Sequence, residues 1–194
     1  MYIIFEGVDT CGKSTQINLF KERKQNIITT NEPGGTSLGI KLRDILLTNK
    51  DPLSLNAEFF LFLADRAEHY KKVIAPNLGK NYILSDRGFV SGIAYGLTNG
   101  IEADLDFLIK INRFALNGHL PQKIILFKTN KKLIKSRLST KLKDNIEKRG
   151  IKYLLRVQEK MFDVVKASGI EFLEVDSTWS IEEIYSKIEE FIYD

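Results

Sequence analysis

Residues Gly7 to Ser14 read Gly-Val-Asp-Thr-Cys-Gly-Lys-Ser, a complete GxxxxGK[ST] spacing. They follow Met1-Tyr2-Ile3-Ile4-Phe5, an apolar run of the kind that forms a buried parallel strand. Together these features restrict the fold tightly. A strand must deliver the chain to a turn whose glycines let successive backbone N–H groups point inward, and a helix must start directly after it. Thr15 to Glu22 is suited to that helix. Gly7, Val8, Asp9, Thr10, Cys11, Gly12, Lys13, Ser14 and Thr15 then form a loop that cradles the phosphates of a nucleotide. Lys13 reaches the β and γ phosphates as a compact charge, and the Ser14 hydroxyl ligates Mg²⁺.

The bulk properties are compatible with this. A chain of 194 residues can bury roughly 70 per cent of its extended surface without disulfide support, which predicts one domain over residues 1–194. Lysine and arginine total 29 against 25 acidic residues, a formal charge of +4. That excess suits a polyanionic small molecule and is too small to point to nucleic acid or a membrane. Cys11 is the only cysteine, no basic leader precedes a long apolar segment, and no window offers eighteen uninterrupted apolar residues. These features predict a cytoplasmic protein. Cys11 itself is open to two readings: a redox handle in the phosphate loop, or a small side chain among residues whose backbone does the binding.

Beyond the loop, strand and helix patterns alternate. Asn26 to Thr30 predicts a second strand, and Asn31-Glu32-Pro33-Gly34-Gly35-Thr36 a tight loop. Helical patterns follow at Leu38 to Leu47 and Leu55 to Ala75, with Pro76 ending the second. Tyr82 to Leu84 is a third strand leading into Ser85-Asp86-Arg87, and a glycine-rich passage extends to Gly100. A helix is expected from Asp104 to Asn117, strands at Lys123 to Lys128 and Ile170 to Val175, and helices at Ile151 to Ala167 and Ile181 to Phe191. Five strands with crossover helices predict an α/β fold with ligands at the carboxyl ends of a parallel sheet. Asp86 ends a hydrophobic strand, where a carboxylate can help hold Mg²⁺ beside the phosphate loop, and Arg87 is placed to neutralise phosphoryl oxygens.

The chain resembles the thymidylate kinases, a branch of the P-loop nucleoside monophosphate kinases, along essentially its whole length. The resemblance is carried by Phe-Glu-Gly-Val-Asp-Thr-Cys-Gly-Lys-Ser-Thr-Gln at 5–16 and Glu-Pro-Gly-Gly-Thr at 32–36. It continues through Gly39 with Arg43, Glu58 to His69, Asp86-Arg87 and Ala94-Tyr95. It implies a five-stranded parallel sheet flanked by helices with a short lid, and ATP-dependent phosphorylation of dTMP to dTDP with Mg²⁺. On the acceptor side it implies that Asp9 receives the sugar 3′-hydroxyl and lies close to the acceptor phosphate. Phe62 stacks on the base, and Arg66, one helical turn on, donates to a base carbonyl. Arg43 and Arg87 hold the monophosphate as bidentate donors. Glu32 and Pro33 shape the wall near phosphate and base, Ser91 keeps one of two family serines, and Tyr95 crowds the place of a 2′-hydroxyl.

The pattern is also broken in places. Asn31 stands where the family has an arginine, and Gly88, Gly92 and Gly96 replace an aromatic, a serine and a glutamine. Loss of those side chains predicts a roomier acceptor pocket. The family places a catalytic arginine either directly after the loop aspartate or in the lid, and Thr10 occupies the first position here. The lid, residues 135–150, carries Arg137, Lys141, Lys143, Lys148 and Arg149, of which Arg137 and Lys141 are the favoured cations. The usual lid signature is altered to Asp144-Asn145-Ile146-Glu147, Arg156 matches a family arginine, and Met161 replaces a family tyrosine. Val175 to Thr178 resembles the segment near adenine, and the apolar helices Leu55–Leu63 and Leu105–Leu116 are candidates for a homodimer face. Two other functions stay open. A P-loop kinase for another nucleotide or nucleoside is opposed by the Phe62/Arg66 pair. A GTP-dependent switch is opposed by Thr129-Asn130-Lys131-Lys132-Leu133, which has Asn-Lys without the aspartate of a guanine-reading motif.

Overall fold

The computed structural model describes residues 1–49, 51–138 and 150–194. In chain order the elements are β1 (Tyr2–Glu6), α1 (Lys13–Arg23), β2 (Ile27–Asn31), α2 (Ser37–Thr48), α3 (Leu55–His69), β3 (Tyr82–Asp86) and α4 (Phe89–Asn99). They continue with α5 (Leu105–Ala115), β4 (Lys123–Lys128), α6 (Lys131–Leu138), α7 (Ile151–Ser168), β5 (Glu171–Asp176) and α8 (Ile181–Tyr193). Among the described residues the strands form one five-stranded sheet, order β2-β3-β1-β4-β5, with every pairing parallel.

Parallel neighbours need crossover connections, so helices must cover both faces, and the strand side chains divide accordingly. Ile3 and Phe5 join Leu84, Ile125 and Phe127 on one face, beneath Phe20 of α1 and Ile184 and Ile188 of α8. Tyr2 and Ile4 join Ile83, Ile124 and Leu126 on the other, beneath Leu63, Val90, Ile93, Leu108 and Val157 of α3, α4, α5 and α7. The chain leaves β1 toward the β2 edge and leaves β4 toward the β5 edge, which opens a crevice beyond the carboxyl ends of these neighbours. Residues 7–12 turn in that crevice.

Helix starts follow local chemistry. Thr36, Ser54, Asp104 and Ser180 each accept a hydrogen bond from the backbone N–H three residues on, capping α2, α3, α5 and α8. α1 differs: it begins after Gly12 at φ 112°, with no side-chain cap and no acidic residue in its first turn. Its unpaired N–H groups and positive end are left for an anion.

Two segments depart from the sequence expectations. The helix expected over Leu55 to Ala75 is α-helical only to His69, then passes through a π turn at Tyr70–Ile74 and a 3₁₀ turn at Ala75–Asn77 that contains Pro76. The glycine-rich passage is the helix α4, whose residues Phe89 to Tyr95 are all buried. Tertiary packing there outweighs the poor helix propensity of glycine. Among the described residues no helix is long and apolar enough to cross a membrane.

Candidate active site

The phosphate loop owes its shape to close packing beneath it. Gly7 has φ 149°, and a Cβ there would meet Cys11 Sγ at 2.8 Å and Phe127 Cβ at 3.0 Å, so no side chain fits. Cys11 turns inward and packs in the core with Phe5 and Phe127. Lys13 is 5% exposed; its Nζ donates to Gly7 O at 3.1 Å and Val8 O at 3.3 Å and lies 3.8 Å from Asp86 Oδ1. Ser14 Oγ donates to Asp86 Oδ2 at 2.6 Å. β1 and β3 are hydrogen-bonded neighbours with Phe5 opposite Asp86, which is why the two segments converge. Among the described residues no group of three or more His, Cys, Asp or Glu side chains is arranged to hold a metal. A hydroxyl and one carboxylate are oxygen ligands of the kind that would suit Mg²⁺.

Arg87 stands at the centre of a second network. Its Nη2 donates to Asp9 Oδ1 at 2.6 Å, and its Nη1 donates to Gly7 O and Ser91 Oγ, both at 2.9 Å. The guanidinium carbon lies 5.7 Å from the centre of the Tyr95 ring. Burial works against the Arg87 charge, but Asp9, Tyr95, Asp86 and Glu6 together outweigh it and hold the group well above its ordinary range. Ser91 Oγ in turn donates to Glu6 Oε2, and the Ser91 N–H donates to Glu6 Oε1 at 3.3 Å. Glu6 is fully buried, which pushes its carboxyl up, against the opposing effect of the Ser91 hydrogen bond and the Arg87 charge. Arg43, exposed on α2, reaches back over the Glu32-Pro33 turn with Nη1 on Pro33 O at 2.9 Å.

A third network lies behind the Phe62/Arg66 pair. Arg66 is 2% exposed; Nε and Nη2 both approach Glu32 Oε2 at 2.8 Å, and Nη1 donates to Asn112 Oδ1 at 2.5 Å. Glu32 Oε1 is 2.8 Å from His69 Nδ1, and His69 Nε2 is 2.6 Å from Thr30 Oγ1. Burial pushes Glu32 up, yet the Arg66 charge and the His69 hydrogen bond together leave it below the usual carboxylate range. Asp65 Oδ1 accepts the Gly34 N–H at 3.0 Å, which ties α3 to the loop after β2.

Two cavities meet over these groups. One of ≈ 880 Å³ covers the phosphate loop and is also lined by Arg137, Ser177, Trp179, Ile181 and Ile184. The other, ≈ 410 Å³, runs between α3 and α4 and is lined by Pro33, Phe62, Arg66, Ser91, Tyr95 and Tyr153, among others. Asp9, Glu32, Arg43 and Arg87 line both. Arg137 lies over the loop, with Nη1 on Thr10 O at 2.7 Å and Nη2 on Ser177 O at 3.4 Å. Lys141 and the rest of the lid signature, with Lys143, Lys148 and Arg149, lie outside the described residues.

The other sequence-derived candidates line the two cavities except Gly7 and Val8, of which Val8 is buried in the core, and four details emerge only in three dimensions. Two of the three glycines, Gly96 within α4 and Gly88 just before it, are closely packed where a Cβ would lie. A Cβ on Gly96 would come within 2.8 Å of Ile101 Cδ1 and one on Gly88 within 3.0 Å of Ile4 Cγ2, so neighbouring side chains have filled that space. Gly92 faces the guanidinium of Arg66, and a Cβ there would lie 3.4 Å from its Nη2. Ser91 bridges Glu6 to Arg87 as well as lining the cavity. Glu6, Asp65, His69, Asn112 and Trp179 join the site without having been singled out by the sequence. A signal for Asn112 exists, since it is a polar residue on the buried face of α5 shared with Leu108 and Ile109.

The family profile described as thymidylate kinase matches residues 5–188. A thymidylate kinase of Sulfurovum sp. is 54% identical over 189 residues, covering 97% of each chain. One of Campylobacter concisus is 50% identical over 193 residues, covering 99% of this chain and 98% of the relative. The crystal structure of a thymidylate kinase from Ehrlichia chaffeensis has a TM-score of 0.78 at 23% identity and covers 99% of this chain and 98% of that one, a likeness of fold.

Proposed function

The chain belongs to the thymidylate kinase family, and on that premise we propose how its residues carry out the reaction, in which it phosphorylates dTMP to dTDP with ATP as donor. The observation that carries this reading is that a phosphate-loop cavity and a second cavity share Asp9, Glu32, Arg43 and Arg87. Donor and acceptor phosphates placed in the two cavities face one another across those groups.

On the donor side, the backbone N–H groups of residues 7–15 and the start of α1 hold the ATP phosphates, and Lys13 turns from the loop carbonyls to the β and γ oxygens. Ser14 and Asp86 would hold Mg²⁺, which would supply positive charge against the charge that develops during transfer. Ser177 and Trp179 flank the space left for the donor base. On the acceptor side, Arg87 and Arg43 clamp the monophosphate, Asp9 takes the sugar 3′-hydroxyl, and Tyr95 packs against the deoxyribose. Phe62 stacks on the base, Arg66 donates to its carbonyl, and Glu32 and Pro33 form the wall. An oxygen of the dTMP phosphate attacks the γ phosphorus as the bond from that phosphorus to the β-bridging oxygen breaks, and ADP leaves. That oxygen is already ionised, so positioning and charge stabilisation supply the catalysis. Thr10 offers no charge, and Arg137, already on the Thr10 carbonyl, supplies one together with Lys141.

The same reading takes residues 1–194 as one domain with its lid at about 135–150, acting in the cytoplasm. It also includes a homodimer, supported by Phe60 on α3 and Phe107 and Phe114 on α5, large apolar side chains that are exposed in the monomer. The test is an acceptor panel with Mg·ATP. dTMP is expected to be the best substrate and thymidine inert, because a nucleoside lacks the phosphate that Arg43 and Arg87 clamp. Preference for AMP or CMP, or GTP hydrolysis with no acceptor phosphorylated, would overturn the assignment.

A further inference from the structure

Arg66 is held at two points of different character. Glu32 binds both Nε and Nη2 through the single oxygen Oε2, each at 2.8 Å. A contact to one atom is a pivot: it fixes distance but leaves the planar guanidinium able to swing about that oxygen. The second point is Asn112, whose Oδ1 accepts from Nη1 at 2.5 Å. Asn112 is fully buried on α5, and its Nδ2 donates to Leu108 O at 2.7 Å, which determines that the oxygen end of the amide faces the arginine. A buried amide is costly unless both ends are paired, and here both are. Of the five guanidinium N–H groups, two are held by hydrogen bonds, from Nε and Nη1, and Glu32 faces a third, on Nη2, at ion-pair distance. The remaining two are on the η nitrogens, in the cavity wall shared with Phe62 and Tyr95, where Gly92 contributes no side chain to compete for them.

We propose that Asn112 is the specificity-determining positioning residue of the acceptor site. By tying Nη1 to α5 it sets the angle of the guanidinium about its Glu32 pivot. The free N–H groups then meet a carbonyl oxygen on the base and oppose an exocyclic amino group at the same place. Asn112 acts through Arg66 and does not touch the substrate, so this rests on Arg66 being the base contact. A site built to donate to an oxygen discriminates strongly against an analogue that offers a donor instead.

The measurement is the ratio of kcat/KM for dTMP to that for 5-methyl-dCMP, which exchanges the 4-carbonyl for an amino group and keeps the methyl. Asn112→Ala is expected to lower this ratio about tenfold, the effect of one misdirected hydrogen bond, through a higher KM for dTMP with kcat and the KM for ATP little changed. Asn112→Leu fills the space without an acceptor and should behave alike, so either variant that folds decides the matter. Asn112→Asp returns an acceptor oxygen to the same place and should recover most of the ratio. A role confined to packing would lower the melting temperature and leave the ratio alone, which would overturn the proposal. Arg66→Ala is measured in parallel. If it collapses the ratio while the Asn112 variants keep it, the positioning role alone falls. If Arg66→Ala also keeps the ratio, the base-contact reading falls with it.

Discussion

Asp65 immediately precedes Arg66, yet its environment is opposite in sign. Burial and the nearby Glu32 charge push its carboxyl up to about 6, while its Oδ1 accepts the Gly34 N–H. An unfolded aspartate titrates at about 3.9. Over the interval between that value and about 6 the folded chain keeps a proton that the unfolded chain has released, so this group's contribution to stability falls as pH rises through the window. Asp65→Asn stays neutral and keeps an acceptor for Gly34. The stability of the variant relative to wild type is therefore expected to rise by roughly 1–3 kcal/mol between pH 4 and pH 7, since each tenfold change in a protonation equilibrium is worth about 1.4 kcal/mol. Urea unfolding at the two pH values measures this; the same difference at both would show that Asp65 carries its charge without cost. Glu32, held below its usual range by Arg66 and His69, contributes in the other direction, with stability that is lost as pH falls through its folded pKa.

Among the elements, the acceptor cavity depends on how α2, α3 and α4 approach one another, and small residues set those approaches. Gly39 on α2 lies under Asp65: a Cβ there would sit 2.3 Å from Asp65 Oδ1 and 3.1 Å from Thr36 Oγ1. Neither neighbour can move freely, since one holds the Gly34 N–H and the other caps α2 through the Gly39 N–H. Gly39→Ala is expected to destabilise by about 1–3 kcal/mol, the usual cost of overpacking, despite the better helix propensity of alanine. Gly92→Ala on α4 is the contrast. Its Cβ would meet Arg66 at 3.4 Å, an ordinary contact, so its thermal unfolding should stay near wild type. Equal losses in both variants would mean that the close α2–α3 contact at Gly39 does not govern the result, since alanine's helix propensity favours both.

Across the molecule as a whole, the cavities proposed for donor and acceptor share only Asp9, Glu32, Arg43 and Arg87 among their lining residues. Trp179, the only tryptophan in the chain, lines the phosphate-loop cavity and not the other. Its fluorescence should therefore respond to Mg·ATP or Mg·ADP and not to dTMP alone. A fluorescence titration of the wild-type protein with each nucleotide measures this. A response to dTMP as large as that to ADP would contradict the separation of the two cavities.

What can be read without coordinates is what depends on short stretches of chain. The strand, loop and helix around Lys13 are legible because glycine spacing and an apolar run are local demands of backbone geometry. Asp9, Arg43, Phe62, Arg66, Asp86, Arg87 and Tyr95 are legible because they sit inside family motifs, and all of them line the two joined cavities. The partners of those residues are not legible. Asn112 meets Arg66 across 46 positions, Asp9 meets Arg87 across 78 and Ser91 meets Glu6 across 85, and no local pattern encodes such pairings. The α4 glycines show the same limit. Three small residues imply room, but whether room remains depends on what packs there, and Ile4 and Ile101 come from β1 and from the loop after α4. The order of residues along the chain is enough to say which chemistry is available at the site. Which donors are tethered and which are left for the substrate is settled only on folding, because a buried polar group is satisfied by whichever partner the packing of distant elements brings within hydrogen-bond distance.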